Sequence, residues 1–70
     1  MDKNTIAHII QERRDYLLLK QEDLAEMTGV TSKTIYLIES GKGNPSLDTL
    51  QKILEVLGLS LSVQIKKTAE

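Results

Sequence analysis

Apolar residues recur at helical spacing through most of the chain and then switch to strict alternation near its end. Ile6, Ile10 and Leu17, with Ile9 beside them, mark one face of a helix predicted from about Asn4 or Thr5 to Leu17. Leu24 and Ala25 give a second, shorter helix over about Gln21 to Thr28. A third follows over about Ser32 to Ser40, with Thr31 as its N-cap because a threonine hydroxyl can accept a free N–H of the first turn. Pro45-Ser46 opens a fourth, capped by Ser46, with Leu47, Leu50, Ile53, Leu54 and Leu57 as its apolar positions and Gly58 as its stop. The breaks between these segments coincide with Gly29 and with Gly41-Lys42-Gly43-Asn44-Pro45.

From Leu59 to Lys66 the period changes from 3.6 to two. Leu59, Leu61, Val63 and Ile65 alternate with polar residues, the pattern of a half-buried strand. A lone strand leaves its ladder groups without partners. The same strand of a second copy is the simplest partner, and pairing would lay those four side chains over the helices of a homodimer. The expected organisation is therefore all-α, four main helices over residues 1–58, plus a dimerising strand and tail over residues 59–70.

Composition supports the need for a partner. The chain has 70 residues, and a core of that size rarely supplies more than ~3–5 kcal/mol without a staple. It has no cysteine and a single histidine, His8, so neither a disulfide nor a metal site is expected. His8 itself reads as an exposed helix residue. Without Phe or Trp, the core has to be aliphatic. No window is apolar enough for a membrane span and the first residues do not read as a signal peptide, so a cytoplasmic protein without membrane contact is expected. An enzyme is not expected: there is no cysteine, no Gly-rich phosphate loop, no paired carboxylates in a plausible cleft and little chain to enclose a substrate. No cofactor is expected.

The informative region is Gln21 to Ser40. Two short helices joined by a tight turn must cross steeply and closely. Ala25 is small at the expected crossing, Gly29 allows positive φ in the turn, and Val30, Ile35 and Ile38 anchor the third helix. The stretch Gln21-Glu22-Asp23-Leu24-Ala25-Glu26-Met27-Thr28-Gly29-Val30-Thr31, with Ile35 and Ile38-Glu39-Ser40-Gly41-Lys42, resembles the Cro/cI-type (XRE) helix-turn-helix family. Pro45-Ser46-Leu47-Asp48-Thr49-Leu50 and Leu57-Gly58 are similar to that family's fourth helix, and the alternating tail is similar to that of HipB-type antitoxins. The resemblance implies a lambda-repressor-like bundle that binds double-stranded DNA.

On the wheel of the third helix, Ile35 and Ile38 point one way, while Ser32, Lys33, Tyr36 and Ser40 cluster opposite, with Leu37 at the edge. A helix presenting such groups can enter the major groove. Lys33 can reach a guanine edge or a phosphate, Tyr36 a base, a phosphate or a thymine methyl, and Leu37 a methyl. Gln21 is placed for a phosphate at the start of the second helix, as the family resemblance also implies. Lys42 and Asn44 suit backbone contacts, and Thr31 completes the candidate surface. Lys20 stands where the family commonly has a Thr or Ser cap. Helix periodicity alone leaves Arg13 and Arg14 open as partner for Glu39. The resemblance implies Arg14, which leaves Arg13 freer to meet a phosphate.

The reading as a DNA-binding repressor has one adverse feature. Net charge is −1, and Glu22, Asp23, Glu26 and Glu39 face only Lys33 among the bases of Gln21–Ser40. Nucleic-acid-binding domains are usually basic, so those acids must face away from DNA. The favoured function is a homodimeric repressor on an inverted-repeat operator, in particular an antitoxin that autoregulates its operon and also binds a toxin protein. The alternative is a protein-interaction module of the same fold that does not bind DNA.

Overall fold

The computed structural model describes residues 2–66. Four helices follow one another in the order the apolar pattern requires: α1 (Lys3–Tyr16), α2 (Gln21–Thr28), α3 (Ser32–Glu39) and α4 (Leu47–Val56). α3 packs against both α1 and α2, and α2 also packs against α4. Ile10, Leu24, Ala25, Ile35, Ile38, Ile53, Leu54 and Leu57 bring all four helices into one aliphatic core. Ile6, Leu19, Val30, Leu50 and Leu59 cover its margins.

Local chemistry fixes the helix ends. α1 starts earlier than its apolar pattern suggests because Asp2 caps it, accepting the Thr5 N–H at 2.8 Å. That bond holds the Asp2 carboxyl below its ordinary pKa. α2 is capped in the reverse sense. Lys20 offers no side-chain acceptor, and the Asp23 carboxylate takes the Lys20 N–H at 2.8 Å. Thr31 and Ser46 cap α3 and α4 through their hydroxyls, accepting from Thr34 N at 3.2 Å and Thr49 N at 3.1 Å.

α1 ends unusually. Leu18 N–H bonds to the Asp15 carbonyl and Leu19 N–H to that of Arg14. This is the paired closure that glycine generally makes. Here Leu18 occupies the left-handed position, at φ 60°, with its side chain 89% exposed. Leu17 is consequently the cap rather than the last rung of the apolar face. Leu47, an expected core position, stands 59% exposed as the first residue of α4.

The tail departs from expectation. Residues 59–66 form no strand, and Val63 and Ile65 are almost wholly exposed. Leu59 is half-buried and Leu61 is 40% exposed. The physical reason is that a single chain offers this segment no neighbouring ladder for its N–H and C=O groups. Residues 67–70 of the expected tail lie outside the described residues.

Candidate nucleic-acid interface

The turn between α2 and α3 sets the angle at which α3 is presented. Gly29 lies at φ 75° and donates to the Ala25 carbonyl at 2.9 Å. No atom lies within 4 Å of the place a Cβ would occupy there, so only the backbone conformation calls for glycine. The Thr28 hydroxyl donates to the Leu24 carbonyl at 2.7 Å and accepts the Val30 N–H at 3.2 Å, closing the corner on itself. Sequence reasoning missed this clasp, although a threonine just before a turn glycine was its signal.

Ile35 and Ile38 are buried on one side of α3. Ser32, Lys33, Tyr36 and Ser40 are exposed on the other, and Leu37 is half-buried at the edge. Tyr36 stands 58% exposed. Two of the expected polar groups are engaged locally. The Thr31 hydroxyl accepts from Thr34 N and donates to the Thr34 hydroxyl at 2.9 Å, while the Ser40 hydroxyl donates to the Tyr36 carbonyl. Lys42 and Asn44 are exposed in the loop after α3.

A buried ion pair fixes the far end of α3. Arg14 Nε donates to Glu39 Oε2 at 2.7 Å and Arg14 Nη2 to Glu39 Oε1 at 2.9 Å. The two side chains are 10% and 4% exposed. Arg14 Nη1 also donates to the Leu19 carbonyl at 2.6 Å, and Gln21 Nε2 donates to Glu39 Oε1 at 3.1 Å. One carboxylate thus joins α1, the start of α2 and the end of α3. Its hydrogen bonds raise the Arg14 pKa above the ordinary arginine value. Gln21 is only half-buried, so its amide is oriented by Glu39 at the surface.

Arg13 has a partner within the chain: its Nε donates to the Leu57 carbonyl at 2.8 Å and its guanidinium lies 5.2 Å from the Tyr16 ring centroid. A cation at the end of α4 satisfies a carbonyl that the helix leaves open. Arg13 therefore ties α1 to α4. No local pattern marks this contact, which spans 44 positions.

The acids are sorted by the same helices. Glu22, Asp23 and Glu26 are exposed, on the side of α2 away from buried Leu24 and Ala25. Asp23 and Glu26 share a shallow hollow with Leu19 and Met27, and Met27 in turn lies beside Lys52, Glu55 and Val56 of α4. Glu39 is neutralised by Arg14. Among the described residues no group of His, Cys, Asp and Glu is placed to hold a metal ion, and no helix is long and apolar enough to cross a membrane.

Comparison with known proteins places this arrangement. A family model described as helix-turn-helix matches residues 10–64. The HTH-type transcriptional regulator PuuR of Escherichia coli is 45% identical over 53 residues, which cover 76% of this chain and 29% of PuuR. An uncharacterized HTH-type transcriptional regulator of Methanothermobacter thermautotrophicus is 46% identical over 50 residues, 71% of this chain and 72% of that protein. Among solved structures, apo-HppE superimposes with a TM-score of 0.75 at 30% identity, over 86% of this chain and 34% of that one. The chain thus spans less than a third of PuuR and about a third of HppE.

Proposed function

The chain belongs to the helix-turn-helix family of the Cro/cI (XRE) type, and from that premise we propose that it is a sequence-specific DNA-binding repressor acting as a homodimer on an inverted repeat. The observation that carries the reading is the sidedness of α3. Its apolar side is locked into the core, and Ser32, Lys33 and Tyr36 project outward. A helix fits the major groove, where base edges carry a distinct donor and acceptor pattern. In this reading Lys33 reaches a guanine edge or a phosphate, Tyr36 a base or a phosphate, and Leu37 a thymine methyl. Gln21, Lys42 and Asn44 hold the backbone and set the register. Thr31 and Ser40 act mainly by fixing the ends of α3.

The homodimer is supported by the tail. Leu61, Val63 and Ile65 alternate with polar residues and stand exposed in the single chain. Pairing two tails as an antiparallel ribbon gives their backbone groups partners and covers those side chains. Two recognition helices then meet successive major grooves about 34 Å apart. The tail's likeness to HipB-type antitoxins supports the narrower reading, an antitoxin that represses its own operon and binds a toxin encoded beside it.

The test is a footprint on the DNA upstream of the protein's own reading frame. The expected result is two symmetric protected half-sites about one helical turn apart, with affinity falling steeply as salt rises. Absence of protection, or binding insensitive to salt, overturns the DNA reading and favours a protein-interaction module. Co-purification with the product of the adjacent frame tests the antitoxin reading separately.

A further inference from the structure

We propose that Lys3, at the start of α1, forms with Lys42 a two-lysine anchor for the DNA phosphate backbone; this rests on the DNA-binding reading and extends its contact surface to a helix outside the helix-turn-helix. The two lysines are 39 positions apart in sequence, yet they line one small cleft together with Ile6, Ile38, Gly43 and Pro45. Both are exposed.

Their proximity is built into the fold. Gly41 lies against the first turn of α1, where a Cβ would meet the exposed end of the Asn4 side chain and stand 3.8 Å from Asn4 Cα. Its left-handed backbone, at φ 73°, is what calls for glycine at this junction of α1 and the end of α3. Lys42, the next residue, is held by its N–H bond to the Leu37 carbonyl at 2.9 Å. Ile6 packs against the core on the same side of the cleft and fixes α1 in register. Lys3 therefore stands beside Lys42 on a rigid support.

The charges are available. The ion pairs among the described residues are Arg14–Asp15 and Arg14–Glu39, and His8 contacts Glu12, so neither lysine is engaged by one. Asp2 is the acid adjacent to Lys3 in sequence, and its carboxylate is turned to the Thr5 N–H. α3 has eight residues, and the major groove is wide enough to admit it. Lys42 stands three residues past its end, in the loop that follows, where a side chain can take the phosphate contacts that position the protein on the duplex, and Lys3 widens the same positive rim.

Counterion release makes the proposal measurable. Each phosphate neutralised on a duplex contributes a slope of about −0.9 to log affinity against log salt. The probe is a fluorescein-labelled mixed-sequence duplex of about 30 base pairs, titrated by anisotropy with the full chain at about 50 to 200 mM KCl. Lys3→Ala is expected to flatten the slope by about 0.9, so that the parent's advantage over the variant shrinks about 3.5-fold across that range. Lys3→Arg should keep the parent slope, and Lys3→Ala with Lys42→Ala should flatten it by about 1.8. Lys52→Ala, an exposed lysine on α4 beside Met27, is the control for net charge alone.

A parent slope retained in Lys3→Ala while Lys42→Ala flattens it overturns the proposal and leaves the DNA reading standing. Equal flattening by Lys52→Ala also overturns it, because the effect is then one of overall charge. A parent protein without salt-dependent binding removes the DNA reading and this anchor with it.

Discussion

Replacing Glu39 by alanine should unfold most of the protein, although Glu39 belongs to no apolar contact of the core. The carboxylate accepts from Arg14 at 2.7 and 2.9 Å and from Gln21 at 3.1 Å, with its side chain 4% exposed. Its removal leaves the Arg14 guanidinium, 10% exposed, with the Leu19 carbonyl and the exposed Asp15 as its remaining partners. Stranding one member of a buried pair costs ~3–5 kcal/mol. A domain of this size has ~3–5 kcal/mol to lose without help from a partner chain. The single variant is thus expected at or below the folding threshold at 25 °C.

The double variant Arg14→Met with Glu39→Leu should behave differently, because replacing both members of a buried pair by apolar residues is often neutral or stabilising. Urea unfolding followed by far-UV circular dichroism compares the parent, Arg14→Met, Glu39→Leu and the double variant, and a single variant without a folded baseline counts as the loss of the whole stability. The double variant is expected to recover most of what either single replacement loses, so the coupling between Arg14 and Glu39 should be at least ~3 kcal/mol. The folded double variant should bind DNA worse than the parent, since Gln21 loses the carboxylate that orients it. A Glu39→Ala loss below about 1 kcal/mol, or additive single effects, would show that the pair is weak and that α3 is held by Ile35 and Ile38 alone.

Other expectations are simpler. Leu18→Gly should stabilise the protein by about 0.5–1 kcal/mol, because the left-handed penalty for leucine exceeds the added chain entropy of glycine; the thermal midpoint reports it, and a fall in midpoint would mean that the Leu18 side chain has a contact role. Lys33→Ala and Tyr36→Ala, both at exposed positions, should each lower specific operator affinity by ~1–3 kcal/mol with unfolding unchanged within about 0.5 kcal/mol. Deleting residues 59–70 should give a monomer with weak operator binding, and an unchanged dimer by light scattering would exclude the tail as the interface. Asp2 carries a small pH dependence. Its pKa is lowered by folding, so its contribution is complete above the ordinary aspartate range and disappears as pH falls through the lowered value; Asp2→Ala should remove that component from the acid limb of a stability profile.

The parts of the fold that were legible share one property: they depend on period and on local caps. Ile35 and Ile38 lie three apart, so their common side, and the opposite side of Lys33 and Tyr36, follow from helical geometry alone. Thr31 and Ser46 announce helix starts by chemistry that acts over three residues. What was not legible is long-range or conformational. The Arg13 contact with the Leu57 carbonyl links positions that no periodicity relates. The left-handed Leu18 violates the residue preference of its site. The tail is legible as a pattern but has no ladder to join in one chain, so alternation did not become a strand.

The adverse charges are distributed unevenly over the structure. Net charge governs nonspecific attraction at a distance, whereas binding depends on which charges border the contact. At about 0.15 M ionic strength a charge is screened over ~8 Å, less than the length of a helix of this size. The four acids of Gln21–Ser40 do not form one field. Glu39 is neutralised internally by Arg14, Asp23 caps α2, and Glu26 shares a hollow with Met27 on the side bordering α4. Glu22 is the acid of this group without such an assignment. If the polar side of α3 meets DNA, Glu22→Gln should change affinity more than Glu26→Gln. The reverse order would place the DNA against the outer side of α2 and reorient the proposed complex.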